Sequence, residues 1–313
     1  MKVYINELKE GLQIEEKFAV KYKKAPIKYR NGYMFILGLS DKTGEIELHY
    51  WGNNNEEEVL KIYSSINEED VILVKGRVSI YNEKMKIDVN KEEGKIEKTE
   101  DYEKTDFIGI SPRDFEEMKA LFYEFLNELD KPYKDLVNEI LNRYPEFFQW
   151  PASLYKHHAY IHGLLEHTVN MLTVAKAYAP LYGLDKQLLY TGIMLHDIGK
   201  VKEIEVGNVS LRITREGMLL SHIVLGEVMV TEIGKAINID ENILNKIRHI
   251  IISHHGKKEY GAIKEPEFPE AWAVHLIDML DSQPIQMKKL IDETNSEDFR
   301  LYSKSLKKEI YLD

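Results

Sequence analysis

An ordered series of histidines and aspartates on successive helical segments constrains this chain more than any other feature. Of its eleven histidines only His49 lies in the first half. His167, the pair His196-Asp197, His222, the pair His254-His255 and Asp278 then follow in that order. Apolar spacing near a period of 3.6 predicts helices over 113–130, 133–143, 161–178, 186–198, 220–236, 241–254 and 270–292. Each part of the series therefore falls on, or at the end of, a different helix. Residues this far apart meet only if the helices pack into one bundle, and bundle interiors are where facing helices build metal sites. The chain has 313 residues and no cysteine, which excludes disulfides, zinc–thiolate sites and thiol nucleophiles together. Any metal must be held by His, Asp and Glu. Imidazole nitrogens mixed with carboxylates favour manganese, iron or a similar ion over magnesium. Asp197 directly after His196 can present a bridging oxygen beside a nitrogen. Two cations about 3.5–4 Å apart can then activate a shared water and clamp an in-line phosphoryl displacement. For a lone histidine, packing is the better reading. For the set, burial without a metal would leave polar groups unpaired in a helical core, which is costly.

The first ninety residues follow a different period. Phe18–Tyr22, Tyr33–Leu39, Glu45–Trp51, Val71–Val78 and Met85–Val89 read as five short strands, with turns at Asp41–Gly44 and Asn82-Glu83. A helix is expected over 56–66. Five strands with a helix between the third and fourth is the layout of a small OB-type barrel. Residues 91–106 hold 11 charged positions of 16 and no apolar period, so 93–110 reads as a solvated linker. In Ser111-Pro112-Arg113-Asp114 we expect an N-cap serine followed by proline at the first helical position. A β-like insert spans 203–217, with a turn at Gly207-Asn208. The expected architecture is multidomain: an OB-fold barrel over 1–92, the linker, and an all-α helical bundle with a short β-hairpin insert over 111–313.

The net charge of −11 argues against indiscriminate coating of nucleic acid. Local charge differs: Lys17, Lys21, Lys23, Lys24, Lys28 and Arg30 fall in one stretch without an acid. Lys21, Lys23, Tyr33, Phe35, Trp51 and Arg77 interleave cations with aromatics, as OB barrels do to hold single strands. Aromatics alternating along strands are also half core, and edge lysines block aggregation. The residues alone leave these readings balanced. No run approaches the ~20 apolar residues that span a bilayer. The charged amino terminus lacks the apolar region of an export signal, so the expectation is a cytoplasmic protein with no membrane partner.

The series resembles the HD-domain phosphohydrolase superfamily, whose pattern is a His, an adjacent His-Asp, further histidines and a late Asp. The resemblance implies His167, His196, Asp197 and Asp278 as the basic ligand set. It adds His222, His254 and His255 for a two-metal branch bridged by Asp197. It also implies a substrate-phosphate contact for Lys200 in His-Asp-Ile-Gly-Lys, beside Asp197 in the catalytic centre. Asp281 shares a helical face with Asp278, and the family pattern favours Asp278. An OB-type barrel joined to an HD domain, with His157-His158, His162-Gly163-Leu164-Leu165-Glu166-His167-Thr168 and Ser253-His254-His255-Gly256, is similar to the YhaM family of 3′–5′ exoribonucleases. His162 stands where that pattern has glycine. His158 and His162, spaced i, i+4, have structural or substrate-contacting roles. His249 and His275 read as packing or supporting residues.

The resemblance implies two divalent transition-metal ions, manganese first, with Fe2+, Co2+ or Ni2+ as alternatives. The expected substrate is single-stranded RNA, with single-stranded DNA as a further one, hydrolysed from its 3′ end. One alternative is a phosphohydrolase of nucleotides or cyclic dinucleotides. A second is an inactive nucleic-acid-binding adaptor, whose signature would be missing ligands, and none is missing. The lysine-rich tail after Gln286 fits nucleic acid or an interface in a homo-oligomer.

Overall fold

Period-two burial builds the amino-terminal unit. In the computed structural model, which describes residues 2–82, 84–155, 157–294, 299–303 and 306–312, six strands form one sheet in the order β1-β2-β3-β5-β4-β6, closed by β1–β4 pairing. They are β1 (Gln13–Tyr29), β2 (Gly32–Asp41), β3 (Gly44–Trp51), β4 (Val71–Tyr81), β5 (Lys84–Asn90) and β6 (Lys95–Lys98). Alternate residues point inward: Phe35, Leu37 and Leu39 on β2, Leu48 and Tyr50 on β3, Ile72, Val74 and Val78 on β4, Ile87 and Val89 on β5. Helix α1 (Glu56–Ser64) lies between β3 and β4 and buries Val59. Its N-cap Asn55 accepts from the Glu58 amide, and three glutamates in its first turn suit the positive helix end. The parallel β3–β5 pair among antiparallel neighbours completes an OB-type barrel.

Two expectations change here. The first strand is much longer than 18–22, because register shifts between Val20 and Tyr22 and between Lys24 and Ile27 hide its alternation. Such bulges bend a strand, and β1 pairs through Gln13–Ala19 with β4 and onward from Ala19 with β2. The stretch read as a linker contains β6, antiparallel to β4. Ladder hydrogen bonds need no apolar run, and Ile96 alone packs on the barrel core. The expected Asn82-Glu83 turn falls partly outside the described residues, at Glu83.

The second unit comprises Ile110–Glu205 and Arg212–Asp313, while Val206–Leu211 groups with the first. It contains α2 (Phe115–Asn127), α3 (Lys131–Arg143), α4 (Gly163–Tyr182), α5 (Lys186–Leu195), α6 (Lys200–Glu203), α7 (Arg215–Ala236), α8 (Glu241–Ser253) and α9 (Pro269–Glu293). The N-cap of α2 is Asp114, which accepts from the Glu117 amide at 2.9 Å, and not Ser111. Ser111 is buried and donates to Glu166 Oε2 at 2.6 Å, so its hydroxyl is already engaged. Helix α5 is buried from Leu188 to Leu195, apolar on every side as a central helix must be. Its end therefore delivers His196 and Asp197 into the interior. Helix α7 is long and apolar enough by length and composition to cross a membrane, and half of its apolar window is buried among the other helices. Strands β7 (Ile204–Val206) and β8 (Leu211–Ile213) form the expected insert, turned by a Gly207 amide donating to the Ser210 carbonyl. A carboxy-terminal hairpin, β9 (Arg300–Ser303) with β10 (Lys308–Tyr311), went unread in the sequence.

Candidate metal centre and barrel face

Four buried histidines are anchored through Nδ1 and turn Nε2 inward. His196 and His254, each at the carboxyl end of its helix, donate Nδ1–H to carbonyls three residues back, those of Ile193 and Ile251, both at 2.7 Å. His167 on α4 donates to Asp281 Oδ2 at 2.7 Å. His222 on α7 donates to Glu203 Oε1 at 3.0 Å, and its backbone amide donates to the same oxygen at 2.9 Å. Histidines that hold metals bind in this way, the second ring nitrogen fixing tautomer and orientation.

The freed nitrogens converge on Asp197. His167 Nε2 lies 3.3 Å from His196 Nε2 and 3.5 Å from Asp278 Oδ1. Asp197 Oδ2 is 3.5 Å from His196 Nε2, while Oδ1 is 3.4 Å from His222 Nε2 and 3.7 Å from His254 Nε2. One carboxylate oxygen thus faces each of two histidine groups. A ring nitrogen of His255 joins those of His222 and His254 within 4.8 Å, as do the ligand atoms of His167, His196 and Asp197 among themselves. Among the described residues, Asp197 Oδ1, His222 Nε2 and His255 Nδ1 are buried without a hydrogen-bond partner. Bare imidazole nitrogens facing one another repel, and a divalent cation among them satisfies all of these atoms at once. The residues present fit the metal that their family pattern implies.

The electrostatics agree with this geometry. Burial pulls His196 down to about 4 and His255 to about 3, and holds His254 well below its ordinary value. Neutral imidazole is the form that binds metal. Burial opposes the Asp197 charge, but Lys200 and the neighbouring imidazoles outweigh it and keep that carboxyl well below the usual range. Burial pushes Asp278 up to about 7 against the pull of His167, with Asp197 and Asp281 adding to the push. Three crowded carboxylates call for a positive charge among them.

The positions of the other candidates differ. Asp281 lies on the Nδ1 side of His167 and Asp278 on the Nε2 side, so Asp278 is the one that faces the cluster. Asp281 also accepts from Asn170 at 2.9 Å and bonds His158 Nε2 at 2.8 Å. His158 is 2% exposed and reaches Tyr160 with its other nitrogen, so it props Asp281 and is closed to substrate. His162 is occupied as well: it donates to the Phe148 carbonyl at 2.8 Å and stacks on Phe115 at 4.4 Å. Its φ of 66° explains why glycine suits that position. Lys200 Nζ is 3.2 Å from Glu203 Oε2. Glu203 is the residue that sequence reasoning missed, and His157 stands there only as part of a motif, without a role of its own. His157 can join His167 and Asp278 around one point, whereas Glu203 meets its partner His222 only across the β7–β8 insert.

On the barrel, four candidates have other work. Phe35 is 1% exposed and stacks on Tyr50 inside the core at 4.8 Å. Lys23 donates to the Tyr63 carbonyl at 2.7 Å and to that of Ile66, capping the end of α1. Lys21 pairs with Glu45. Tyr33 packs against the core and bonds Glu56. Trp51 and Arg77, by contrast, line a cavity of about 800 Å³ with Tyr29 and Lys86. Tyr29 meets Trp51 edge-on at 5.1 Å, and Lys86 Nζ sits 5.3 Å over the indole.

Comparison with known proteins matches these two halves. Residues 164–283 match the HD domain, and residues 20–93 match an OB-fold nucleic acid binding domain. Among solved structures, the OB domain of MM0293 from Methanosarcina mazei shares 20% identity over 36% of this chain and 95% of that one, with a TM-score of 0.26. The OB domain of Ta0387 from Thermoplasma acidophilum shares 14% over 32% and 89%, also at 0.26. Likenesses at this level carry no argument. The chain is also 34% identical over 288 residues to the 3′–5′ exoribonuclease YhaM of Bacillus velezensis, across 90% of its own length and 88% of the relative's. With both halves and nearly the full length matched, the chain belongs to the YhaM family of 3′–5′ exoribonucleases.

Proposed function

We propose that this chain is a metal-dependent hydrolase that removes nucleotides from the 3′ end of single-stranded RNA. One observation carries the chemistry: the Asp197 carboxylate turns one oxygen to His196 and the other to His222 and His254, and among the described residues its Oδ1, His222 Nε2 and His255 Nδ1 have no hydrogen-bond partner. In this reading His167, His196 and Asp278 would hold one divalent ion and His222, His254 and His255 a second, with Asp197 placed to serve both. Manganese is our first choice, because nitrogen-rich mixed donor sets disfavour magnesium. Bound there, such ions supply Lewis acidity toward a phosphoryl oxygen and lower the pKa of water. The protein's own part is preorganisation: the Nδ1–H bonds hold the four rings before substrate arrives, so little reorganisation remains for the reaction. Lys200, beside Asp197, counters phosphate charge. The cavity with Trp51, Tyr29, Arg77 and Lys86 offers aromatic faces and cations to a single strand. We place the enzyme in the cytoplasm.

The test uses purified protein, manganese and short RNA labelled at the 5′ end. The wild type should give a ladder shortening from the 3′ end, and Asp197→Ala should give none while keeping its helical circular dichroism. Intact RNA together with hydrolysis of cyclic dinucleotides would instead assign a nucleotide phosphohydrolase. Binding of RNA with no cleavage at all would leave an adaptor.

A further inference from the structure

Beside the metal centre lies a cavity of about 460 Å³, and three of its lining side chains, His157, His255 and Asp278, belong to the histidine and aspartate groups. The rest of its wall comes from the 3-10 turn Lys258–Tyr260, from His275 and later residues of α9, and from the carboxy-terminal hairpin. Tyr260 is 48% exposed, with Lys257 Nζ 5.9 Å over its ring, so a base reaches the ring by displacing a side-chain ammonium. Lys307 Nζ stands 5.4 Å from that ring, and Lys308 Nζ is steadied by Gln283 Oε1 at 3.0 Å. Among the described residues neither lysine has a carboxylate partner. The one glutamate in the lining, Glu259, faces Lys257 at 3.8 Å.

We infer that this cavity receives the 3′-terminal nucleotide of the strand, an inference that rests on the exoribonuclease reading. Tyr260 offers a face for the base, since aromatic stacking holds any base regardless of sequence. Gln283 and Gln286 offer amide donors and acceptors to ribose hydroxyls and base edges. Lys307 and Lys308 counter the charge of the nucleotide before the cut and of the nucleoside 5′-monophosphate after it. The volume lies within the range of small-molecule sites, about 300–1,000 Å³. It has room for one nucleotide and not for a run of them. A single-nucleotide pocket adjoining the hydrolytic groups accounts for removal of one nucleotide at a time. It also gives the carboxy-terminal hairpin, which lies outside the matched HD segment, a part in the reaction.

The experiment compares wild type with Tyr260→Ala, Tyr260→Phe and the double variant Lys307→Ala/Lys308→Ala. Three quantities are measured: KM and kcat on 5′-labelled single-stranded RNA in manganese, bound metal per chain, and AMP binding by calorimetry. Tyr260→Ala should raise KM on the order of 10- to 100-fold, the effect of losing one stacked base, with kcat and metal content kept. Tyr260→Phe should restore KM. The double lysine variant should weaken AMP binding by a similar factor. Wild-type KM and AMP affinity in the alanine variants would overturn the assignment, as would losses confined to kcat or metal content. A wild-type protein that leaves RNA intact defeats the exoribonuclease reading instead, and AMP binding alone then decides the pocket.

Discussion

Glu203 holds the metal centre together from outside it. One of its oxygens accepts both the backbone amide and the Nδ1–H of His222, and the other meets Lys200 at 3.2 Å. Burial opposes its charge, yet the His222 hydrogen bond and the Lys200 charge bring its carboxyl down to about 2, so it is ionised wherever the protein is folded and active. Carboxylates that orient a metal-binding histidine are worth about 10- to 100-fold in metal affinity. Glu203→Ala should therefore weaken binding of manganese by about that factor, read by calorimetry on metal-free protein. Glu203→Gln, which keeps an acceptor oxygen, should fall between the two. An unchanged affinity in Glu203→Ala would mean that His222 needs no such support. Asp281 stands in the same relation to His167. Sequence order alone brought out the histidines and Asp197, because their residue types are costly to bury without a partner. Nothing of the kind marks Glu203, an acid among many, 19 residues from the histidine it serves.

Helix α7 shows how an element carries strain to aim a side chain. Ser221 breaks it with φ 61° and ψ 159°, a conformation that only glycine adopts readily, and His222 follows at once. The break explains why the 3.6 period picks up the helix from 220 and misses its first turn from Arg215. Next to it, a Cβ on Gly199 would stand 2.0 Å from the His222 carbonyl oxygen, so the glycine of His-Asp-Ile-Gly-Lys lets α7 close on that motif. Strain of this kind costs about 1–3 kcal/mol, and the extra freedom of glycine in the unfolded chain returns about 0.4–1 kcal/mol of it. Ser221→Gly should thus raise stability by about 1 kcal/mol in denaturant unfolding, with metal affinity kept. A loss of stability of that size would show that the serine side chain, and not the backbone, holds the kink. The same logic separates what periodicity reveals from what it hides. Helices and strands with one continuous buried face, such as α5 and β2, stand out in the sequence. Elements interrupted by a bulge or held by backbone pairing alone, such as the ends of β1, β6 and the β9–β10 hairpin, do not.

At the scale of the molecule, the metal centre ties together five helices that no single apolar contact joins. His167 comes from α4, His196 and Asp197 from the end of α5, His222 from α7, His254 from the end of α8, and Asp278 from α9. A ligand that binds only this folded arrangement must stabilise it by mass action, by about 2.7 kcal/mol at a concentration 100 times its Kd. For a unit of this size that corresponds to a rise in Tm on the order of 5–10 °C. The donor set also dictates which ions act. Imidazole nitrogens favour cobalt and nickel, manganese accepts a mixed shell of nitrogen and carboxylate oxygen, and magnesium and calcium prefer oxygen shells. Scanning calorimetry of metal-free protein should therefore show a clear upward shift with the first three ions and little with the last two. Asp197→Asn should lose most of the shift, since it removes the charge on which both histidine groups converge. Equal shifts from magnesium and manganese, or an undiminished shift in Asp197→Asn, would place the stabilising ion somewhere other than among these histidines.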